Sequence, residues 1–188
     1  GFTIMFRLLL IFVILNFYNP ILASIKENII YQMQTTNNLS FNFIQTISNK
    51  NENGKCIIQY PKKIYCEYDN SNKKIIVSNG KSLVIKNNNG NNYYIYPLKK
   101  TPLEYLLNKD YLISKMEMLE PDEVGNKYLN FKFFENNIEF SVFFDKKNLN
   151  LVGWQTKDVY QNLSIIFISS VKINQIIDKK KFILPQNK

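Results

Sequence analysis

From Gly54 to Tyr96 the chain sets short runs rich in Ile, Val and Tyr between turn-forming residues: Pro61-Lys62-Lys63, Asp69-Asn70-Ser71-Asn72 and Asn79-Gly80. This spacing predicts an antiparallel meander, because a few polar residues close a hairpin whereas a parallel crossover needs about a dozen or more. One hairpin runs from Gly54 through Ile58 and Tyr60, turns at Pro61 and returns through Ile64, Cys66 and Tyr68. The next joins Lys73–Ser78 to Lys81–Asn87 around Asn79-Gly80, a dipeptide biased to tight hairpin turns. Asn91–Tyr96 follows, stopped by Pro97. Upstream, Leu39, Phe41 and Phe43 alternate with polar neighbours as the exposed and buried faces of a strand do. Downstream, Tyr128–Phe134, Ile138–Phe144, Leu149–Thr156 and Leu163–Lys172 repeat the pattern, joined by Glu135-Asn136-Asn137, Asp145-Lys146-Lys147-Asn148 and a connection around Asp158. The tail Lys180–Pro185 is expected to add an edge strand, and Glu120-Pro121-Asp122-Glu123 a turn.

Two segments carry a helical signature. Ser24 and Glu27 have capping-box spacing, and Ile25, Ile29, Ile30 and Met33 then form one apolar stripe that dissolves at Thr35-Thr36-Asn37-Asn38. Thr101-Pro102 opens a second, short helix with Leu103, Leu106 and Leu107 on one face. A helix so short is unstable alone, so it must lie against the sheet as core or as a cover over a pocket. The expected fold class is mainly β: an incomplete antiparallel barrel or curved sheet with short helices over it, in one domain spanning residues 24–188.

Composition narrows the function. The formal charge of +9 comes from lysines scattered singly and in pairs through loops, which describes a solvated surface better than a nucleic-acid face. Met5-Phe6-Arg7, the apolar run from Leu8 to Tyr18 and Asn19-Pro20-Ile21-Leu22-Ala23 have the three parts of a secretory signal, with cleavage expected after Ala23. The apolar run is shorter than the ~20 residues a spanning helix requires. Residues 1–4 precede the plausible initiator.

Chemistry is sparse. The chain has no histidine, which excludes a His-dependent triad and His-ligated metal. Gly80-Lys81-Ser82 ends like a phosphate-binding loop but lacks its first glycine and its strand-to-helix setting, and Ser71 with Lys74 fits a Ser-x-x-Lys pattern only inside a turn. Cys56 and Cys66 flank the Pro61 turn on neighbouring strands; they form either a cross-strand disulfide or two small buried thiols. No catalytic constellation emerges, and a non-enzymatic protein without cofactor or metal is expected.

The ordered set Phe41-x-Phe43-x-Gln45, Gly54, Tyr60-Pro61-x-x-Ile64, Ser78-Asn79-Gly80-Lys81-Ser82-Leu83, Thr101-Pro102-Leu103, Leu151-x-x-Trp154 and Phe182-x-x-Pro185 resembles the LolA family of periplasmic outer-membrane lipoprotein carriers. The resemblance implies an unclosed barrel whose apolar interior holds acyl chains under a helical lid. It further implies receipt of lipoproteins from an inner-membrane ABC transporter, delivery to an outer-membrane acceptor, and a monomer that does not touch nucleic acid. A periplasmic lipid-sensing regulator shares the scaffold, and an exported β-rich binding protein with a solid core is the plainer alternative. Carried onto this chain, the acyl site comprises Ile29 and Met33, then Leu39, Phe41 and Phe43, then Ile58, Ile64 and Tyr68, and finally Leu103, Leu106 and Leu107. Tyr60 stands where the family has an Arg that latches the lid, and Cys66 and Val84 where it often has Trp.

Overall fold

A computed structural model describes residues 20–70, 72–87, 89, 92–157 and 162–186. The signal-like run through Tyr18, Ser71 and Asp158 lie outside them. The chain opens with helix α1 (Pro20–Thr35) and continues through β1 (Asn38–Ile47), β2 (Lys50–Gln59), β3 (Lys63–Tyr68), β4 (Lys74–Asn79), β5 (Ser82–Asn87) and β6 (Tyr93–Pro97). A 3-10 turn (Leu98–Lys100) leads into helices α2 (Leu103–Leu106) and α3 (Lys109–Met118). The second half comprises β7 (Asp122–Val124), β8 (Tyr128–Glu135), β9 (Ile138–Asp145), β10 (Leu151–Lys157) and β11 (Leu163–Ile173), then a 3-10 turn (Lys179–Phe182).

These strands form one antiparallel sheet in the order β6-β5-β4-β3-β2-β1-β11-β10-β9-β8-β7. The first meander walks outward from β1 to β6; the second starts at the opposite edge with β7 and walks back until β11 pairs with β1. The sheet therefore stays open between β6 and β7, and the chain crossing that gap carries α2 and α3. This is the expected curved, unclosed sheet with short helices.

Local chemistry explains the elements. Ser48 and Asn49, and again Asn136 and Asn137, take positive φ in the two-residue turns of β1–β2 and β8–β9, the backbone that a tight hairpin turn needs. In the β4–β5 turn the Asn79 side chain accepts from Lys81 N and Ser82 N at 3.0 Å each. Burial alternates along the strands: Leu39, Phe41 and Phe43 of β1, Phe131 and Phe133 of β8 and Phe140, Val142 and Phe144 of β9 face the helices.

Five expectations need correction. α1 begins at Pro20 rather than at Ser24: proline suits a first helical position because its φ is already helical and it lacks the N–H that would go unpaired there. A third helix, α3, follows α2. Its signals were Asn108, whose side chain accepts from Tyr111 N at 3.2 Å, Asp110 in the first turn, and the buried trio Leu112, Ile113 and Met116. Residues Asp122–Val124 pair with β8 as a short edge strand instead of forming a turn, and β2 reaches back to Lys50 because Lys50–Asn53 pairs with Gln45's side of β1 despite its polarity. The tail is not an edge strand. It passes behind the sheet as a 3-10 turn capped by Asp178, whose carboxylate accepts from Lys180 N at 2.9 Å, and buries Phe182 where the turn meets β3 and β4. Val77 and Val84, paired across β4 and β5 on the face opposite Ile76 and Leu83, are buried on that side.

Gly54 is required by close approach. A Cβ there would stand 2.0 Å from the Glu67 carbonyl oxygen on β3 and 3.0 Å from the Phe43 ring. Gly54→Ala should therefore push β2 off β3 and destabilise the protein by about 2–4 kcal/mol, read as a lower urea midpoint with an unchanged slope.

Candidate functional site

Two hollows lie between the concave face and the helices. The smaller, about 40 Å³, sits where α1 ends, bounded by Met33, Leu39, Ile58, Tyr60, Leu107 and Leu112. The larger, about 350 Å³, lies beside it over β1–β5 and beneath the start of α2, with Phe41, Phe43, Ile64, Tyr68, Leu83 and Leu103 in its wall. Leu106 and Trp154 border both hollows and so separate them. The larger volume falls within the ~300–1,000 Å³ of small-ligand sites.

Curvature makes the room. The Phe41 and Trp154 rings meet edge to face at 6.3 Å, and Phe43 meets Tyr68 at 4.9 Å, so these aromatics pack along the wall of the sheet. Cys56 and Cys66 are direct cross-strand partners on β2 and β3 and form a disulfide in the same wall. Closing a loop with a sequence separation of 10 is worth about 2–3 kcal/mol on a chain-entropy account. This pins the hairpin that floors the cavity. Tyr68 donates to Gln45 Oε1 at 2.8 Å, and Gln45 Nε2 donates to Ser164 Oγ at 3.3 Å. Burial, helped by the nearby Glu52 charge, raises the Tyr68 pKa, so the phenol stays a neutral donor at ordinary pH. Among the described residues no Asp or Glu lines this cavity.

The helical roof is tied down on several sides. Lys62 N donates to Leu107 O at 2.8 Å, and the Lys62 ammonium pairs with Glu104 on α2. Lys109 Nζ donates to Gln34 O at 3.0 Å and Thr36 O at 2.9 Å, joining α3 to the end of α1. Asn136 Nδ2 donates to Tyr105 Oη at 2.6 Å, Tyr111 Oη donates to Glu135 Oε2 at 2.5 Å, and Lys115 approaches Glu135 at 3.4 Å. Where the resemblance pointed to Tyr60 as the latch, the polar link from the hairpin to α2 runs through Lys62. Tyr60 turns its ring to the smaller hollow, with Lys109 Nζ 5.8 Å from the ring centre, and burial raises its pKa.

The sequence-derived residues thus divide. Phe41, Phe43, Ile64, Tyr68, Leu103 and Leu106 share the larger cavity. Met33, Leu39, Ile58 and Leu107 border the smaller hollow, and Ile29 is wholly buried and lines neither. Sequence reasoning missed Ile76, Ile85, Tyr96 and Ile166 of the larger wall, together with Lys100, Thr101, Thr156 and Lys157. Their alternation was visible, but which face of β4–β6 turns inward depends on a register that only the pairing supplies. Among the described residues no three His, Cys, Asp or Glu side chains gather as metal ligands, and no helix is long and apolar enough to cross a membrane.

The chain is thus an open antiparallel sheet wrapped around an apolar hollow and roofed by short helices. The chain belongs to the LolA family: the family model described as outer membrane lipoprotein carrier protein LolA matches residues 34–184. Among solved structures, a LolA superfamily protein from Nitrosomonas europaea is similar at 9% identity and a TM-score of 0.46, over 86% of this chain and 97% of that one. LprF from Mycobacterium bovis is similar at 11% identity and 0.49, over 90% and 98%. The MucA/MucB complex structure from Pseudomonas aeruginosa is similar at 8% identity and 0.46, over 85% of this chain and 60% of that one. No curated protein matches the sequence.

One roof contact has a pH signature. The Tyr111 hydroxyl, followed by Lys115, holds the Glu135 carboxyl below its ordinary value of 4.5. A depressed folded-state pKa contributes stability that is complete above the unfolded value and is lost as pH falls through the folded one. Glu135→Gln should accordingly lower the thermal midpoint at neutral pH, and the gap between variant and wild type should close as the pH falls below the ordinary glutamate range in paired melting curves.

Proposed function

We propose that this protein is an exported, non-enzymatic carrier that shelters lipoprotein acyl chains in its larger cavity. In this reading it collects them after release from the inner membrane by an ABC transporter and yields them to an outer-membrane acceptor. Family membership supports the lipid-binding part of this reading. The observation that carries it is the roughly 350 Å³ of room beneath α2, walled mostly by aliphatic and aromatic side chains, where a solid core would have none.

The energetics fit temporary storage. Each methylene withdrawn from water contributes ~0.8 kcal/mol, so two or three long chains would be worth roughly 20–40 kcal/mol if fully buried. That exceeds the ~20 kcal/mol at which non-covalent affinities saturate, and such a carrier could not let go. Partial burial solves this. The cavity is open at the edge, Leu103 at its lip is only half-buried, and the roof is held by individual polar ties. No proton transfer or bond making is required of the carrier in this reading.

Leu103→Glu places a carboxylate at the cavity lip, where an aliphatic guest would have to desolvate it. This variant should fold with a near-wild-type circular dichroism spectrum and lose at least tenfold in affinity for an acylated peptide, measured by fluorescence titration. Unchanged affinity in a folded variant would remove the larger cavity as the acyl site.

A further inference from the structure

We infer that the guest suited to this cavity carries an anionic head: carboxylate or phosphate oxygens held between Lys100 and Lys157 at the open edge, with the aliphatic chain against the wall. This rests on the acyl-chain reading above and adds the chemistry of the headgroup. Among the described residues lining the larger cavity, the charged ones are these two lysines, and none is acidic. Both are exposed, and neither has an ion-pair partner among the described residues. Lysines nearer carboxylates are committed: Lys62 to Glu104, Lys74 to Glu52 and Lys181 to Glu67.

The uncharged polar groups gather at the same edge. Thr101 follows Lys100, Thr156 precedes Lys157, and Thr156 lies directly opposite Ser164 in the β10–β11 register. The relay from Tyr68 through Gln45 ends on Ser164 Oγ, which accepts from Gln45 and keeps its own hydroxyl proton as a donor. Deeper in, Phe41, Phe43, Ile64 and Leu83 offer nothing polar. Charge at one end and hydrocarbon at the other match an anionic amphiphile. A cationic amphiphile would be repelled, and a neutral one would gain nothing from the ammonium groups. Exposed charge pairs contribute modestly and are screened by salt, so the expected preference is about tenfold at low ionic strength.

The test is isothermal titration of the delipidated full chain with probes sharing one palmitoyl chain, kept below their micellar concentrations: palmitate, palmitoyl lysophosphatidate, neutral monopalmitoylglycerol, and inorganic phosphate as a free-anion control. Palmitate and lysophosphatidate should bind about tenfold more tightly than the glyceride. The preference should shrink in high salt and disappear in the Lys100→Gln, Lys157→Gln double variant, whose glyceride affinity and melting temperature should match wild type. Equal binding of anionic and neutral probes, or a preference that survives the double variant, overturns the headgroup assignment and leaves the acyl cavity standing. Binding of inorganic phosphate as tight as that of lysophosphatidate also overturns it, marking a free-anion site. Failure of every palmitoyl probe to bind overturns both readings.

Discussion

The concave face of this sheet presents more apolar side chains than the short helices facing it can touch, and the difference is the cavity. A side chain in a closed core fills the space of its neighbours to crystal-like density. Here the first strands curve away beneath α2, a helix spanning only Leu103–Leu106, and aromatics such as Phe41, Phe43 and Tyr68 stack along the wall instead of crossing to the roof. The other half of the sheet behaves differently. Phe131, Phe133 and Phe140 pack as solid core beneath α3, with Phe131 and Phe140 wholly buried, and Phe144 meets Phe131 at the edge of the smaller hollow. The first meander thus supplies most of the room, β10 and β11 close its far wall, and β8 and β9 supply the packed core.

That division governs how the roof is held. α3 is anchored over the solid half by Leu112, Ile113 and Met116 and by the Tyr111–Glu135 contact, whereas α2 reaches over the hollow with one buried side chain, Leu106, held by the Lys62–Leu107 and Asn136–Tyr105 hydrogen bonds and the Lys62–Glu104 pair. Apolar burial is diffuse and hard to reverse piecemeal. Single polar ties in partly exposed positions are each worth about a kilocalorie per mole or less, so the hollow is covered by the weaker attachment. The disulfide between Cys56 and Cys66 keeps the floor fixed on the same side.

Much of this was legible in the sequence because strand alternation and turn chemistry are local. Asn79-Gly80, Pro61 and the Asn136-Asn137 pair mark hairpins by their own backbone preferences, and the alternating Phe41 and Phe43 mark an inward face. What was not legible is what depends on partners far along the chain. Lys50–Glu52 looks like loop by composition and is strand because β1 supplies its hydrogen bonds. The tail's apolar Phe182 has the composition of an edge strand and instead covers the back of β3 and β4. Leu39 and Phe41 share one strand and one face yet border different hollows, because Leu106 and Trp154 come between them from remote elements. The third helix was a different case: Asn108 and Asp110 announced it, and the brevity of its apolar stripe hid it among loop residues.

The account stands on an aliphatic guest entering beneath α2 without unfolding the sheet. The most direct measurement is a methyl-resolved NMR spectrum of the folded protein titrated with a spin-labelled stearate. Paramagnetic broadening should concentrate on Ile64, Ile76, Leu83 and Leu103, which wall the larger cavity, and spare Leu129 and Met116 in the solid half and Ile44 and Leu163 on the exposed surface. Broadening confined to those exposed residues, or spread evenly over the molecule, would contradict it.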